Sequence, residues 1–410
     1  MNIGTDYIYG HAVEIFDRRR HAYLCGMTGT GKSNLLLSMM EQDIRNGEGF
    51  ALLDPHGDLA ETVMQFIPGT RADQFVYLNP ADLERPIGWN PLSDVGSKSR
   101  AADEIVGAFK SAYSESWGPR LEHFLTNAVR LALDIPESDL LTVYRLFTDD
   151  AYRARVVLKA TDPVVRSFWE NEYPGYDKKF LTEAKSPILN KLGRVLSSPD
   201  IRNVLCQPST INLRKVMDEG RILIVNLSKG SLGEGNSHLL GALLVSGIAQ
   251  AAMSRRDTPE GQRRPFHLYV DEFQNFATES FATILSEARK YALTLTLGHQ
   301  FQGQLSDSLR GAVLGNTGTA IILRVGAEDA PLLSSHLGMQ EPSALQDLPN
   351  FQAYTRLLIN GVPSSAKRIY LPPPIVPTDD RSAQLIRNSR TRFGRPRENI
   401  EKRIDELLGG

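Results

Sequence analysis

Apolar positions change period several times along the chain, and each change marks an element. His21–Cys25 is a strand-like run that enters a glycine-rich turn. Ser33–Ile44 then carries apolar residues at helical spacing, and Phe50–Leu53 reads as a second strand that stops at Asp54-Pro55. Strand, loop, helix, strand predicts the start of a parallel α/β sheet. Ahead of it, Tyr7–Phe16 is short and β-leaning, followed by Asp17-Arg18-Arg19-Arg20. From about Ala101 to Arg214 the spacing turns helical, as in Leu121, Phe124, Leu125, Ala128, Val129 and Ala132, then Val156, Val157, Val164, Val165 and Phe168. Strand patterning resumes at Ile222–Val225, His267–Val270, Leu293–Leu297, Ala320–Val325 and Thr355–Ile359. This order predicts a split α/β domain, 1–95 and 216–370, carrying an all-α insertion at 96–215. Residues 371–410 read as a linker with Leu371-Pro372-Pro373-Pro374 at its start, then a basic tail.

Composition narrows the class. At 410 residues the chain exceeds one ordinary core, and 41% hydrophobic with 23% charged residues is the balance of a folded globular protein. The longest apolar run, Leu239–Met253, is interrupted by Gly241, Ser246, Gly247 and Gln250. It falls short of the ~18–20 residues a bilayer-spanning helix needs, so no membrane span is expected. Asp6, Glu14 and Asp17 exclude a signal-peptide core at the N-terminus. Cys25 and Cys206 cannot make a disulfide framework, and a cytoplasmic location is expected. A net charge of −2 means that any nucleic-acid partner must be met by local positive fields. Arg18–Arg20, Arg255-Arg256 and Arg263-Arg264 read as solvated surface, or as backbone-tracking groups around a channel. The tail has the same two readings, with eight basic residues from Arg381 to Arg403 against Glu398 and Glu401.

The densest chemistry follows the first strand. Gly26-Met27-Thr28-Gly29-Thr30-Gly31-Lys32-Ser33 fits G-x-x-x-x-G-K-[ST] at every fixed position, with Asn34 next on the helix. Glycines let backbone N–H groups curl around phosphate oxygens, and the helix N-terminus adds partial positive charge. Gly26, Thr28, Gly29, Thr30, Gly31, Lys32, Ser33 and Asn34 are the expected nucleotide-binding set, with Lys32 toward the β- and γ-phosphates and Ser33 on Mg²⁺. Such a site needs a carboxylate at the end of a neighbouring strand. His267–Val270 ends in Asp271-Glu272, so Asp271 is expected to hold Mg²⁺ and Glu272 to activate water as general base. Asp54 also ends a strand but has Pro55 after it and no second carboxylate. ATP and Mg²⁺ are the expected ligands.

Further candidates lie around this centre. Gln300, after Leu295–Leu297, is placed to sense the γ-phosphate, or is an ordinary strand-end amide. Arg289, on the helix after Asp271-Glu272, and Arg324, inside a strand, are candidate fingers for a neighbouring subunit's site, or structural ion-pair residues. His56, His123, His238 and His299 lack partners at ligand spacing, so no zinc site is argued. Trp117, Phe124 and Phe147 read as core of the helical insertion.

Taken together, His21–Ser33 and Leu53-Asp54-Pro55-His56-Gly57-Asp58-Leu59 resemble the HerA/FtsK superfamily of DNA-pumping ATPases. Trp89-Asn90-Pro91-Leu92, Tyr269-Val270-Asp271-Glu272-Phe273, Ser286–Tyr291, Gly298-His299-Gln300 and Gly315–Thr319 narrow this to type IV secretion coupling proteins of the TraG/TraD kind, over roughly residues 10 to 365. The resemblance implies an α/β, RecA-like P-loop NTPase with a mostly parallel central sheet and an inserted all-α domain. It implies a homohexameric ATPase that threads DNA through its channel by backbone contacts, with relaxase or secretion-channel proteins as partners. It favours Arg289 as the trans finger, with Arg324 second. The transmembrane anchor of such proteins is not seen in this sequence, and a location at the inner membrane face would then require recruitment. Two alternatives stand: a soluble HerA-like motor in DNA end processing or phage defence, and a nucleotide-gated docking module with incidental turnover.

Overall fold

The computed structural model describes every residue except Phe16, Asp94, Thr378 and Gly410. Chain contacts divide it into two units. The first holds Met1–Tyr77, Arg214–Asn226 and Arg255–Asn388, and the second Leu78–Leu213, Leu227–Ser254 and Ser389–Gly410.

Unit one is built on a twelve-stranded sheet. Its strands are β1 (Asn2–Asp6), β2 (Ala12–Glu14), β3 (His21–Cys25), β4 (Gly49–Asp54), β5 (Phe75–Leu78), β6 (Ile222–Asn226), β7 (Phe266–Val270), β8 (Leu293–His299), β9 (Thr317–Ile322), β10 (Gln352–Ile359), β11 (Val362–Pro363) and β12 (Lys367–Tyr370). The order is β2-β1-β12-β10-β9-β3-β8-β7-β4-β6-β5, with β11 paired to β10. From β9 through β6 neighbours run parallel, while β10, β12, β1 and β2 form an antiparallel flank. Strands β3, β4, β6, β7 and β8 are buried along their whole length, as strands covered on both faces must be.

Several expectations shift. Tyr7–Gly10 is a turn between β1 and β2 rather than a strand, and Phe16 lies outside the described residues. Strand β9 starts at Thr317 and ends at Ile322, so Arg324 lies beyond the strand and not inside it. Two arginines of the basic clusters depart from the surface reading, while Arg19, Arg256 and Arg264 are exposed. Arg18 is paired with Asp43, and its Nη2 donates to the Tyr269 hydroxyl at 3.1 Å. Arg255 is fully buried, with Nε 2.9 Å from Asp218 and Nη1 on the carbonyls of Arg264 and Tyr291. Neither guanidinium faces solvent as part of a basic patch.

Unit two is helical. Lys98–Ala112, Pro119–Ala132, Leu140–Thr148, Lys178–Ser197 and Glu234–Ser254 are its longer helices. Phe124 stacks edge-on to Phe168 (5.4 Å, 88°), Phe168 to Trp169 (5.0 Å, 85°), and Phe147 meets Trp169 at 5.7 Å. Trp169 thus fills the place expected for Trp117, which is only half-buried and donates its indole N–H to Glu122 at 2.7 Å. Trp89 is buried against Gly247, where a Cβ would sit 2.5 Å from the ring, so this glycine lets the indole press on the helix. The stretch read as too short to span a membrane extends to Glu234–Asp257, whose most apolar 18 residues reach a mean hydropathy of 1.3, long and apolar enough to cross a bilayer, and 67% of that window is buried inside the protein. Much of the tail is helical, Arg397–Leu408, where Arg403 reaches the buried Asp139 at 2.8 Å and Arg397 pairs with Glu401 at 2.6 Å.

Candidate active site

The glycine-rich loop leaves the carboxyl end of β3 and enters helix α1 (Lys32–Arg45). Gly29 (φ +77°) and Gly31 (φ +114°) adopt left-handed backbone that side chains disfavour. Gly26 lies so near Leu323 that a Cβ would sit 2.6 Å from that side chain. Neighbouring strands tie the loop down: Gly26 N–H donates to His299 O at 3.1 Å, and Met27 N–H to Arg324 O at 2.9 Å. Thr30 Oγ1 donates to Met27 O at 2.7 Å. The result is an anion-binding concavity at a helix N-terminus.

Facing it, β7 ends in Asp271-Glu272. Lys32 Nζ donates to Glu272 Oε1 at 2.7 Å, with the two side chains only 7% and 5% exposed. Gln300 Nε2 donates to the same oxygen at 2.8 Å, and Gln274 Nε2 holds Oε2 at 2.7 Å. Glu272 takes a left-handed backbone (φ +49°), a strained setting for a non-glycine residue. Burial alone would raise its carboxyl, but the Lys32 charge and the bonds from Gln274, Lys32 and Gln300 outweigh this and lower it. It is a carboxylate held ready by three donors.

Asp271 is the opposite case. Burial raises it to about 6, the Glu272 and Asp54 charges add to this, and Lys32 opposes. Its Oδ1 accepts the Glu272 N–H at 3.1 Å and lies where a Cβ on Gly298 would come within 2.7 Å. A buried carboxylate short of positive charge, in a cradle a methyl would fill, fits a ligand of a divalent cation. Among the described residues no cluster of three or more His, Cys, Asp or Glu could hold a metal alone. That suits Mg²⁺, which takes one or two protein ligands and completes its shell with phosphate oxygens and water.

Asp54 is spent on the backbone: Oδ1 accepts from His56 N–H and Oδ2 from Ala60 N–H, each at 2.9 Å, capping the loop after β4. Behind Gln300, buried His299 bonds the Tyr23 hydroxyl through Nδ1 at 2.9 Å, and burial pushes it down to about 4. Gln302 links Tyr23 to the Asp329 carboxylate through its side chain and its N–H. Beside this network, Met27, Thr28, Gln300, Phe301 and Gly326–Asp329 line a hollow of about 460 Å³. Sequence reasoning missed Gln274 and the Tyr23–His299–Gln302 chain, which no spacing motif announces.

The two arginine candidates part company. Arg324 stays beside its own loop, Nη2 on Asn350 Oδ1 at 2.9 Å and Nη1 on Leu348 O at 3.2 Å. Arg289 sits in the turn Ala288–Tyr291 before β8. Gln300 follows the other end of that seven-residue strand, roughly 20 Å away at ~3.3 Å per residue. Arg289 is exposed and makes no side-chain hydrogen bond or ion pair among the described residues. It lies far from the glycine-rich loop of its own chain.

Two family models match the sequence: the type IV secretion-system coupling protein DNA-binding domain over residues 10–165, and the TraM recognition site of TraD and TraG over 265–349. The chain is type IV coupling protein-like in these two stretches, around a P-loop. This coupling-protein-like chain is 22% identical over 347 residues to the type 4 coupling protein DotL of Legionella pneumophila, across 69% of its own length and 44% of that relative's. It therefore spans less than half of the curated relative it matches. Among solved structures it is similar to the bacterial conjugative coupling protein TrwBdeltaN70 (TM-score 0.64, 18% identity, 90% of this chain and 88% of that one). TrwB in complex with ADP and Mg²⁺ aligns at TM-score 0.64 with 17% identity over 93% and 92% of the chains. VirB4 of Thermoanaerobacter pseudethanolicus aligns at TM-score 0.61 with 13% identity over 91% and 96%. The fold is thus the RecA-like α/β arrangement, parallel at the centre of the sheet.

Proposed function

We propose that this chain hydrolyses ATP in a homohexameric ring and uses the turnover to drive DNA through the channel, as a coupling-protein-type motor of type IV transfer. The observation that carries the reading is the buried Lys32–Glu272–Gln300 cluster at the mouth of the glycine-rich loop. In the absence of phosphate, Glu272 is neutralised by Lys32. An incoming γ-phosphate competes for the ammonium and leaves Glu272 with Gln300 and Gln274 beside the attacking water. The carboxylate then takes the water's proton, while Lys32 and the backbone N–H groups from Gly29 to Asn34 hold the phosphates. Ser33 and Asp271 would hold Mg²⁺, which neutralises charge on the β- and γ-oxygens when bound. Arg289 supplies positive charge to the neighbour's γ-phosphate, so turnover requires the ring.

Residues 96–215 serve as the inserted all-α domain that meets DNA or a relaxase-bound substrate, and the match of residues 10–165 to the coupling protein DNA-binding domain, which reaches into this insertion, supports that assignment. The motor works in the cytoplasm, at the membrane's inner face where a recruiting protein holds it. The two buried free cysteines are compatible with a reducing compartment. Triplex displacement tests the reading: with ATP and Mg²⁺ the chain should strip a third strand from duplex DNA, or pass a roadblock on single strands. ATP turnover with no displacement on either substrate would leave an ATPase that is not a translocase.

A further inference from the structure

The nucleotide reading gives the phosphate chain a direction along the sheet. Glu272 and Gln300 lie past the ends of β7 and β8, on one side of β3, and mark the terminal-phosphate end. The nucleoside must then leave toward the other side, where β9, β10 and β12 follow. Strand β10 runs antiparallel to β9, so the residues just before Gln352 come to the loop's edge. Strand β12 runs antiparallel to β10, so the residues just after Tyr370 arrive there too.

Phe351 and Leu371-Pro372 occupy those two positions. Phe351 has φ +61°, a left-handed conformation that is an outlier for a bulky side chain. Two backbone bonds hold it there: its N–H donates to Thr30 O at 2.8 Å, and its carbonyl accepts from Leu371 N–H at 2.9 Å. Its ring lies on the phosphate loop, since a Cβ on Gly31 would meet Phe351 Cδ1 at 2.9 Å and Leu371 Cδ1 at 3.1 Å. Phe351 nevertheless remains 43% exposed. Asn34, the residue after Ser33, donates to the Pro372 carbonyl at 2.8 Å and ties the same segment to α1. A strained backbone that presents an aromatic face to solvent, fastened to a phosphate-binding loop, is explained by a flat partner.

Resting on the nucleotide reading above, we propose that Phe351 is the platform on which the nucleobase stacks, with Leu371 and Pro372 as its apolar wall. Stacking uses the π-face that every base has, so this platform grips adenine and guanine alike. Calorimetric titration with ATP, GTP and inorganic tripolyphosphate, each with Mg²⁺, tests it on wild type and Phe351→Ala. The expected result is about a tenfold weaker affinity for both nucleotides and unchanged affinity for tripolyphosphate. In Phe351→Trp, nucleotide affinity should be kept, and indole emission should change with ATP but not with tripolyphosphate. Equal weakening of all three ligands, or of none, overturns the platform, as does a silent indole in the tryptophan variant. A wild type that binds neither ATP nor tripolyphosphate overturns the nucleotide site itself, a separate and recognisable failure.

Discussion

The two edges of the parallel sheet treat charge in opposite ways. At the carboxyl edge, Asp54, Asp271 and Glu272 crowd one buried ammonium, Lys32, and burial leaves Asp271 raised to about 6. At the amino edge arginines abound, and most are consumed by the fold. Arg18 is tied to Asp43 and Tyr269, Arg255 to Asp218, and Arg264 to the carbonyls of Glu219 and Gly47. Arg289 stands apart there, exposed and without a side-chain bond among the described residues. At one edge carboxylates outnumber the buried ammonium, and the other holds an exposed arginine with no side-chain bond among the described residues. A ring that sets the amino edge of one subunit against the carboxyl edge of the next would answer both.

The largest effect expected from this contrast is at Arg289. Arg289→Ala should lower ring ATPase on the order of a thousandfold, the scale of a lost arginine finger. Doping it into wild-type rings should cut activity more steeply than the mutant fraction, because each altered subunit disables its neighbour's site. A linear decline with mutant fraction would mean that Arg289 acts within its own chain or not at all. At the other edge, Glu272→Gln keeps the hydrogen-bond geometry but removes the base. Turnover should fall about a hundredfold or more while ATP binding and the ATP-bound oligomer persist. Unchanged hydrolysis in that variant would refute Glu272 as the base and dissolve the contrast between the edges.

Legibility followed locality. The strand His21–Cys25, the loop Gly26–Ser33 and the Asp271-Glu272 pair could be read because each role is set by a contiguous segment and its spacing. The buried runs of β4, β6, β7 and β8 were visible for the same reason, since strands covered on both faces are apolar throughout. Short strands such as Phe75–Leu78 and Lys367–Tyr370 were not visible, because a four-residue strand carries too little periodicity. The fates of Arg18 and Arg255 depend on partners 25 and 37 residues away, so sequence position gave no sign that they are tied into the fold. Phe351 is the furthest from legible: its place comes from a left-handed backbone and from contacts with Thr30 and Gly31, more than three hundred positions earlier. The charge chemistry of the site is written in motifs, whereas its apolar wall is written only in the fold.

Everything proposed for the motor depends on hydrolysis at the Lys32–Glu272 site being coupled to DNA. Steady-state ATP hydrolysis with Mg²⁺, measured alone and with single- or double-stranded DNA, and with Lys32→Ala as the blank, tests it most directly. Strong stimulation by at least one form of DNA is expected, with no turnover in the Lys32→Ala protein. Hydrolysis that ignores both forms of DNA, or that survives loss of Lys32, would contradict it.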